Sequence, residues 1–277
     1  MARSEQDCFL PDRGCMKERW IRRLGSPGAG FRYVDADGSP IRVLRVLTRV
    51  DRLRVPPAWT DVHIAPDSRR SVQAWGYDAR GRKQYRYNQK AVERRELRKY
   101  HRVRQLAKSL PRIRQMLRTE SRRRELTRDT VCAIALRLIS ESLFRPGSER
   151  YAKENGSFGI TTLRKKHVVV AAHMAVFSYP GKSSKHQRQR IVNPELVKLV
   201  ARVYQTPGTR LFRYRVQGRW CDLDARALMA YMRARIGPFA VKDFRTWGGT
   251  LRAATVLSEL GKPRSRAEAK RNVALAM

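Results

Sequence analysis

The sequence has few acidic residues, few cysteines and no long apolar run. It contains 24 aspartates and glutamates but 61 lysines and arginines, which gives a formal net charge of +37. No stretch approaches the roughly 20 apolar residues that span a bilayer, and the N-terminus lacks the apolar core of a secretion signal. These absences predict a cytoplasmic protein with no membrane partner.

Cysteine and histidine are too sparse and too scattered to predict a metal centre. The four cysteines form no CxxC pair and no zinc-type spacing with any of the five histidines. Cys132 lies inside an apolar helical pattern, so we expect a buried thiol there. Cys8, Cys15 and Cys221 fit a reducing compartment.

The excess of positive charge is the strongest feature of the composition. Hydrophobic residues make up 42% of the chain, so it is expected to fold rather than to form a disordered basic tail. A folded domain with this charge repels itself unless a polyanion neutralises it. Nucleic acid, with its dense row of phosphates, is the partner that the composition favours. Charge alone also fits a ribosome- or RNA-associated protein.

The sequence pattern predicts an α+β fold with a small β-rich N-terminal domain and a larger, mainly α-helical domain that carries a β-hairpin. Alternating residues at 72–77 and 83–87 predict two strands around a turn, and a helical period begins near residue 90. The predicted divisions are a polar tail, a β-rich domain and a helical domain, at residues 1–29, 30–95 and 96–277.

The first candidate functional segment covers residues 76–87. On a strand, Lys83, Tyr85 and Tyr87 share one face, which could offer a cation and phenol hydroxyls to phosphates. Gln84, on the other face, has the donor and acceptor that read a base edge. A half-buried strand with its tyrosines packed inward explains the same pattern equally well.

Three further segments each carry one basic residue of interest. Arg145 follows a helix end, and Lys182 lies at the tip of the expected hairpin. Taken alone, both fit ordinary solvated cations. Arg245 lies among apolar residues, and a partly buried arginine needs an anionic partner. Asp243 and a bound phosphate are the two alternatives.

These four segments, in this order and at these separations, resemble the bacterial and poxvirus-type DNA topoisomerase IB family. Residues 55–62 match as well, and the resemblance runs from about residue 31 to the last residue. It implies an isomerase that clamps double-stranded DNA as a monomer in the bacterial nucleoid. In this family a tyrosine forms a transient 3′-phosphotyrosyl link, supercoils relax as the free strand swivels, and neither a metal ion nor ATP is needed.

The resemblance also implies roles for individual residues. Arg145 and Arg245 would hold the nonbridging oxygens of the scissile phosphate, and Lys182 would protonate the leaving 5′-oxygen. Guanidinium forks match two phosphate oxygens and stabilise the charge that develops in attack. A positioned acid typically contributes ~10²–10⁴-fold. The implied DNA contacts are Arg82, Lys83, Gln84, Tyr85, Tyr87 and Tyr151.

The sequence departs from the family pattern after Arg245. The family places a histidine and then its nucleophilic tyrosine there, and this stretch contains neither. Tyr231 comes before Arg245 and matches no nucleophile motif. Residues 265–268 form a capping box that opens a helix, and no helix-ending signal follows. We therefore expect a C-terminally incomplete catalytic domain that binds DNA without cutting it.

Two other functions remain open from the sequence. A non-catalytic DNA-binding derivative of the family would use the binding surface alone. A tyrosine recombinase uses a similar set of arginine, lysine, histidine and tyrosine, but segment 76–87 and the β-rich N-terminal domain argue against it. An RNA-associated protein leaves the motifs around Arg145, Lys182 and Arg245 unexplained.

Overall fold

The computed structural model describes residues 19–277 and has an α+β architecture, as the sequence predicts. Within these residues the chain divides into two compact units, one ending at Leu97 and the other beginning at Arg98. No helix in this part of the chain is long and apolar enough to cross a lipid bilayer.

The first unit is an antiparallel sheet of five strands in the order β2–β1–β3–β4–β5, with one helix. The side chains of Val50, Val62 and Ile64 are at most 2% exposed, and they form its core with Ile21 and Ala74. The strands are β1 (Ile21–Ser26), β2 (Gly30–Val34), β3 (Thr60–Ile64), β4 (Val72–Tyr77) and β5 (Lys83–Tyr87), and the helix is α1 (Leu44–Arg52).

Two expectations for this unit are wrong. Residues 21–26, placed in the polar tail by composition, form β1, because Ile21 is buried in the core and the strand pairs with β2 and β3. Residues 44–52, inside the segment predicted to be β-rich, form α1, in which Val46 and Val50 lie one turn apart and face the core. The first 18 residues of the predicted tail, with Cys8 and Cys15, lie outside the described residues.

The second unit contains most of a long helix, six further helices, a three-stranded antiparallel sheet and a two-stranded hairpin within the described residues. The helices are α2 (Gln89–Ser121), α3 (Arg128–Ser142), α4 (Glu149–Glu154), α5 (Pro194–Tyr204), α6 (Ala225–Arg235), α7 (Val241–Leu260) and α8 (Arg266–Ala276). The strands are β6 (Val168–Val170), β7 (Ala175–Pro180) and β8 (His186–Ile191), followed by the hairpin β9 (Arg213–Val216) and β10 (Arg219–Asp222).

Helix α3 is the centre of this unit. Its residues from Thr130 to Ser140 are all buried, and Cys132 is a free thiol among them, as expected. The buried guanidinium of Arg137 donates to Glu195 at 2.9 Å, to Glu141 at 3.1 Å and to Ser121 at 3.2 Å. These acceptors satisfy the charge, since a buried guanidinium without partners would be strongly destabilising. The network fixes α2 and α5 around α3.

Local capping signals set several of the helix boundaries. The side chain of Asn193 accepts hydrogen bonds from the N–H groups of Glu195 and Leu196, which starts α5 at Pro194. Ser265 likewise accepts from the N–H of Glu268 and opens α8. The hairpin β9–β10 was not predicted.

The contact between α3 and α7 yields a test with a neighbouring control. A Cβ on Gly248 would overlap the side chain of Leu143, whereas a Cβ on Gly249 meets open space. We expect Gly249→Ala to stabilise the chain by up to about 1 kcal/mol, the usual helical gain. Gly248→Ala should instead destabilise it, because overpacking costs about 1–3 kcal/mol. Urea unfolding of both variants measures this, and equal stabilities would contradict the packing.

Candidate phosphate site and nucleic-acid interface

Strand β5 presents Lys83, Tyr85 and Tyr87 on one face of the first sheet. The rings of Tyr85 and Tyr87 stack with their centroids 6.0 Å apart, and Tyr87 is 39% exposed. The ammonium of Lys83 lies 3.7 Å from the centroid of the Trp75 ring. The tyrosines are therefore not packed into the core, and this face offers a cation and aromatic rings to a ligand.

Gln84 and Arg82 share one carboxylate, that of Asp78. Arg82 donates to Asp78 through Nε at 2.9 Å and through Nη2 at 2.8 Å, and Gln84 Nε2 donates to the same carboxylate at 2.9 Å. The hydrogen bonds from Arg82 hold the pKa of Asp78 well below its usual range. A ligand that uses Arg82 or Gln84 must therefore compete with an ionised carboxylate.

In the second unit, a left-handed turn at the end of α3 delivers Arg145. Leu143 has a φ of 58°, and its N–H donates to the carbonyl of Ile139 at 3.0 Å. The chain leaves the helix there, and Arg145 is exposed just beyond it. The N–H of Ile160 donates to the carbonyl of Arg145 at 2.7 Å, which fastens this turn to the loop after α4.

The same loop is fastened to the hairpin that carries Lys182. The N–H of Phe158 donates to the carbonyl of Pro180 at 2.8 Å, where β7 ends. The N–H of Gly181 donates to the carbonyl of Lys185 at 2.8 Å and closes the tip, on which Lys182 is exposed. The loop thus connects the segment of Arg145 to the segment of Lys182 through backbone hydrogen bonds.

Arg245 and Arg145 lie close enough to repel each other. Arg245 is half-buried on α7, and burial followed by repulsion from Arg145 lowers the pKa of its guanidinium. Among residues 19–277, no carboxylate lies within ion-pair distance of either arginine. Two neighbouring cations create a region of positive electrostatic potential, and such a region favours the binding of an anion.

Asp243 does not pair with Arg245. Its carboxylate accepts both Nε of Arg102, at 2.8 Å, and Nη2 of Arg102, at 2.9 Å. It also accepts the N–H of Ala240 at 2.8 Å, as the acidic cap of α7. Asp243 is therefore not the ion-pair partner of Arg245.

Tyr179 lies beside both arginines. Burial raises the pKa of its phenol to about 12, while the charges of Arg245 and Arg145 act in the opposite direction. Its ring lies 6.3 Å from Phe144 and 6.4 Å from His167, measured between centroids. The phenol of Tyr179 is therefore neutral at neutral pH and lies within the electric field of both arginines.

Tyr151 lies on α4, just before the loop that connects the segments of Arg145 and Lys182. It is 51% exposed on α4, and its carbonyl accepts the N–H groups of Asn155 and Ser157 at 3.0 and 3.1 Å. The candidate residues of the second unit are thus Arg145, Tyr151, Lys182 and Arg245, on connected segments. The other five, Arg82, Lys83, Gln84, Tyr85 and Tyr87, belong to the first unit.

Comparisons with known proteins agree along most of the chain. Residues 87–277 match the family model of the eukaryotic DNA topoisomerase I catalytic core, and residues 30–78 match that of the bacterial DNA topoisomerase IB N-terminal domain. The DNA topoisomerase 1B of Acanthamoeba polyphaga mimivirus is 32% identical over 256 residues, covering 89% of this chain and 76% of that protein. The chain belongs to the type IB DNA topoisomerase family.

Two residues near the site of this type IB family member were missed by sequence reasoning. Tyr179 is one, and nothing in the sequence places its phenol within reach of the charges of two arginines. Arg102 is one of many basic residues on α2, and it lies 141 residues from Asp243 along the chain. A pair so distant leaves no local pattern.

The loop that supports Arg145 has a steric requirement that can be tested. A Cβ on Gly159 would overlap backbone atoms of Gly147 and Arg145, whereas Gly156, with a φ of +56°, has open space. We expect Gly159→Ala to cost about 1–3 kcal/mol or more and to speed hydrogen exchange at the Ile160 amide. Gly156→Ala should cost only about 1–2 kcal/mol of left-handed strain and leave that amide protected. Equal exchange in the two variants would contradict the account.

Proposed function

We propose that this chain binds duplex DNA as a monomer and holds one backbone phosphate between Arg145 and Arg245. The observation that carries the proposal is that the charge of Arg145 acts on Arg245, while no carboxylate of the described residues pairs with either guanidinium. An anion bound there relieves their repulsion, so the site gains more from a phosphate than an isolated arginine does. Two forked donors match the nonbridging oxygens of a phosphodiester.

The same arrangement suits the strand transfer of a type IB topoisomerase. When a nucleophile attacks a phosphodiester, negative charge grows on its nonbridging oxygens, and fixed guanidinium groups stabilise that charge. Lys182 is the proposed acid for the leaving 5′-oxygen, since it lies at an exposed tip beside Tyr179 and Pro180. A covalent phosphotyrosyl link would conserve the energy of the broken bond, so the reaction would need no ATP, and the two guanidinium groups would supply the charge stabilisation that a metal ion can otherwise provide.

The first unit is proposed to contact the phosphates and other groups of the duplex. Lys83, Tyr85 and Tyr87 would contact phosphates from the exposed face of β5, and Arg82 and Gln84 would exchange Asp78 for groups on DNA. Tyr151 would add a contact from the second unit. Because Asp78 is ionised and already paired, we expect the readout by Gln84 to depend on how well DNA displaces it.

We propose that this chain binds DNA without cutting it, because within the 277 residues neither a tyrosine nor a histidine follows Arg245. Tyr231 is 4% exposed on α6, and burial raises the pKa of its phenol to about 12. Tyr179 is 3% exposed with a similarly raised pKa. A purely DNA-binding role is the second candidate function, favoured by this lack.

We expect salt-sensitive binding to duplex DNA. Each neutralised phosphate contributes roughly −0.9 to the slope of log K against log salt, so a slope of several units is expected. Arg245→Gln should weaken binding about tenfold, because hydrogen bonds to charged groups contribute roughly 1.5–3 kcal/mol. Arg219→Gln, which removes an equal charge from the exposed hairpin strand β10, is the matched control. Fluorescence anisotropy measures both, and equal losses would contradict the phosphate site.

We further expect no relaxation of supercoiled plasmid by the 277-residue chain and no covalent adduct on a denaturing gel. Relaxation requires the break to be held as a covalent bond while the strand rotates, and that bond requires a nucleophile positioned in line with the leaving oxygen. A catalytically active family member serves as the positive control. An adduct would contradict the proposal, and Tyr179→Phe and Tyr231→Phe would then locate the nucleophile.

A further inference from the structure

The position of the Arg245 guanidinium group depends on how firmly the start of helix α7 is held. The described residues provide its guanidinium with no ion pair, and the charge of Arg145 opposes its position. A flexible cation in this situation would swing away from its neighbour toward water if the start of α7 were loose. The first turn of α7 therefore needs a firm attachment close to Arg245.

Asp243 provides that attachment two residues before Arg245. It is 1% exposed, and its carboxylate accepts the N–H of Ala240 as well as two hydrogen bonds from Arg102. An acidic residue in the first turn is also favoured by the helix dipole. The cap fixes the start of the helix, and the guanidinium fixes where that start lies against α2.

Arg102 can serve as an anchor because its own helix is held by the core. Its neighbour Val103 is 7% exposed and Leu106 is fully buried, so this stretch of α2 is fixed by packing. The two parallel hydrogen bonds to Asp243 define an orientation as well as a distance, which a single bond would not. The side chain of Arg102 is itself two-thirds buried, with 33% exposed.

We propose that Arg102 is a positioning residue that holds Arg245 at the phosphate site by fastening Asp243 to helix α2. Arg102 then contributes to DNA binding through Arg245 rather than through a phosphate of its own. This inference rests on the proposed role of Arg245 in holding phosphate, and its test separates the two claims.

The test is a double-mutant cycle on duplex affinity, measured with the 277-residue chain at several salt concentrations. The single variants are Arg102→Gln and Arg245→Gln, combined in a double variant. Arg104→Gln removes an equal charge from an exposed position on the same helix, and it forms the control cycle with Arg245→Gln. Independent sites give additive effects, and residues acting through one another do not.

We expect Arg102→Gln to weaken binding about tenfold, as Arg245→Gln does, and the double variant to bind within about twofold of Arg245→Gln. The control cycle should be additive. Losses from Arg102→Gln and Arg245→Gln that multiply would overturn the positioning role while leaving the phosphate role of Arg245 intact. If Arg245→Gln alone binds like the parent chain, the proposed phosphate site fails, and the positioning role fails with it.

Arg102→Gln leaves a buried carboxylate without its partner and could therefore unfold the chain. A second, milder variant separates a loss of binding from a loss of folding. Arg102→Lys keeps the charge but lacks the fork, so it should remain folded and show a smaller loss that also disappears in the Arg245→Gln background. Hydrogen exchange gives a readout without DNA. Amides of residues 244–247 should exchange faster in both Arg102 variants than in Arg104→Gln, and unchanged exchange there would overturn the proposal.

Discussion

The repulsion between the charges of Arg145 and Arg245 is the constraint on which the candidate phosphate site depends. Neither group would stay near the other on a flexible chain, so each must be held by rigid backbone. Arg145 is held by the left-handed exit from α3 and by the hydrogen bond from Ile160. Arg245 is held by α7, where Gly248 packs closely against Leu143. In the proposed function, a bound phosphate relieves this repulsion.

The first unit is also rich in positive charge, and its sheet presents part of that charge on an exposed face. Its sheet buries one face under α1 and displays Lys83 and the tyrosines of β5 on the other. Asp78 keeps Arg82 and Gln84 ordered in the absence of a ligand. Pre-ordering reduces the entropy lost on binding, at the cost of competition from a carboxylate. The basic surface is therefore organised before any polyanion arrives.

The sequence predicts those elements whose signals are local. The alternation in 72–77 and 83–87 matches β4 and β5, and the cap at Asn193 starts α5. Helix α1 was missed because its 9 residues are fewer than the roughly 11–18 over which a helical period is recognised. Strand β1 was missed because only its pairing and the burial of Ile21 distinguish it from a polar tail.

Much less of the candidate site follows from local chemistry. Chemistry alone describes Arg145 as a solvated cation, and it is the resemblance to topoisomerases that pairs it with Arg245. The link between Arg102 and Asp243 and the place of Tyr179 arise from tertiary packing, which no local pattern encodes. Asp243 shows the limit clearly, since its proximity to Arg245 in sequence suggests a pair that the fold does not form.

A structure of the 277-residue chain bound to duplex DNA would show whether one phosphate lies between Arg145 and Arg245. We expect the guanidinium groups of Arg145 and Arg245 both to lie within hydrogen-bonding distance, about 3 Å, of oxygens on one and the same phosphate. A complex in which the two arginines contact different phosphates, or in which Arg245 contacts none, would contradict this expectation.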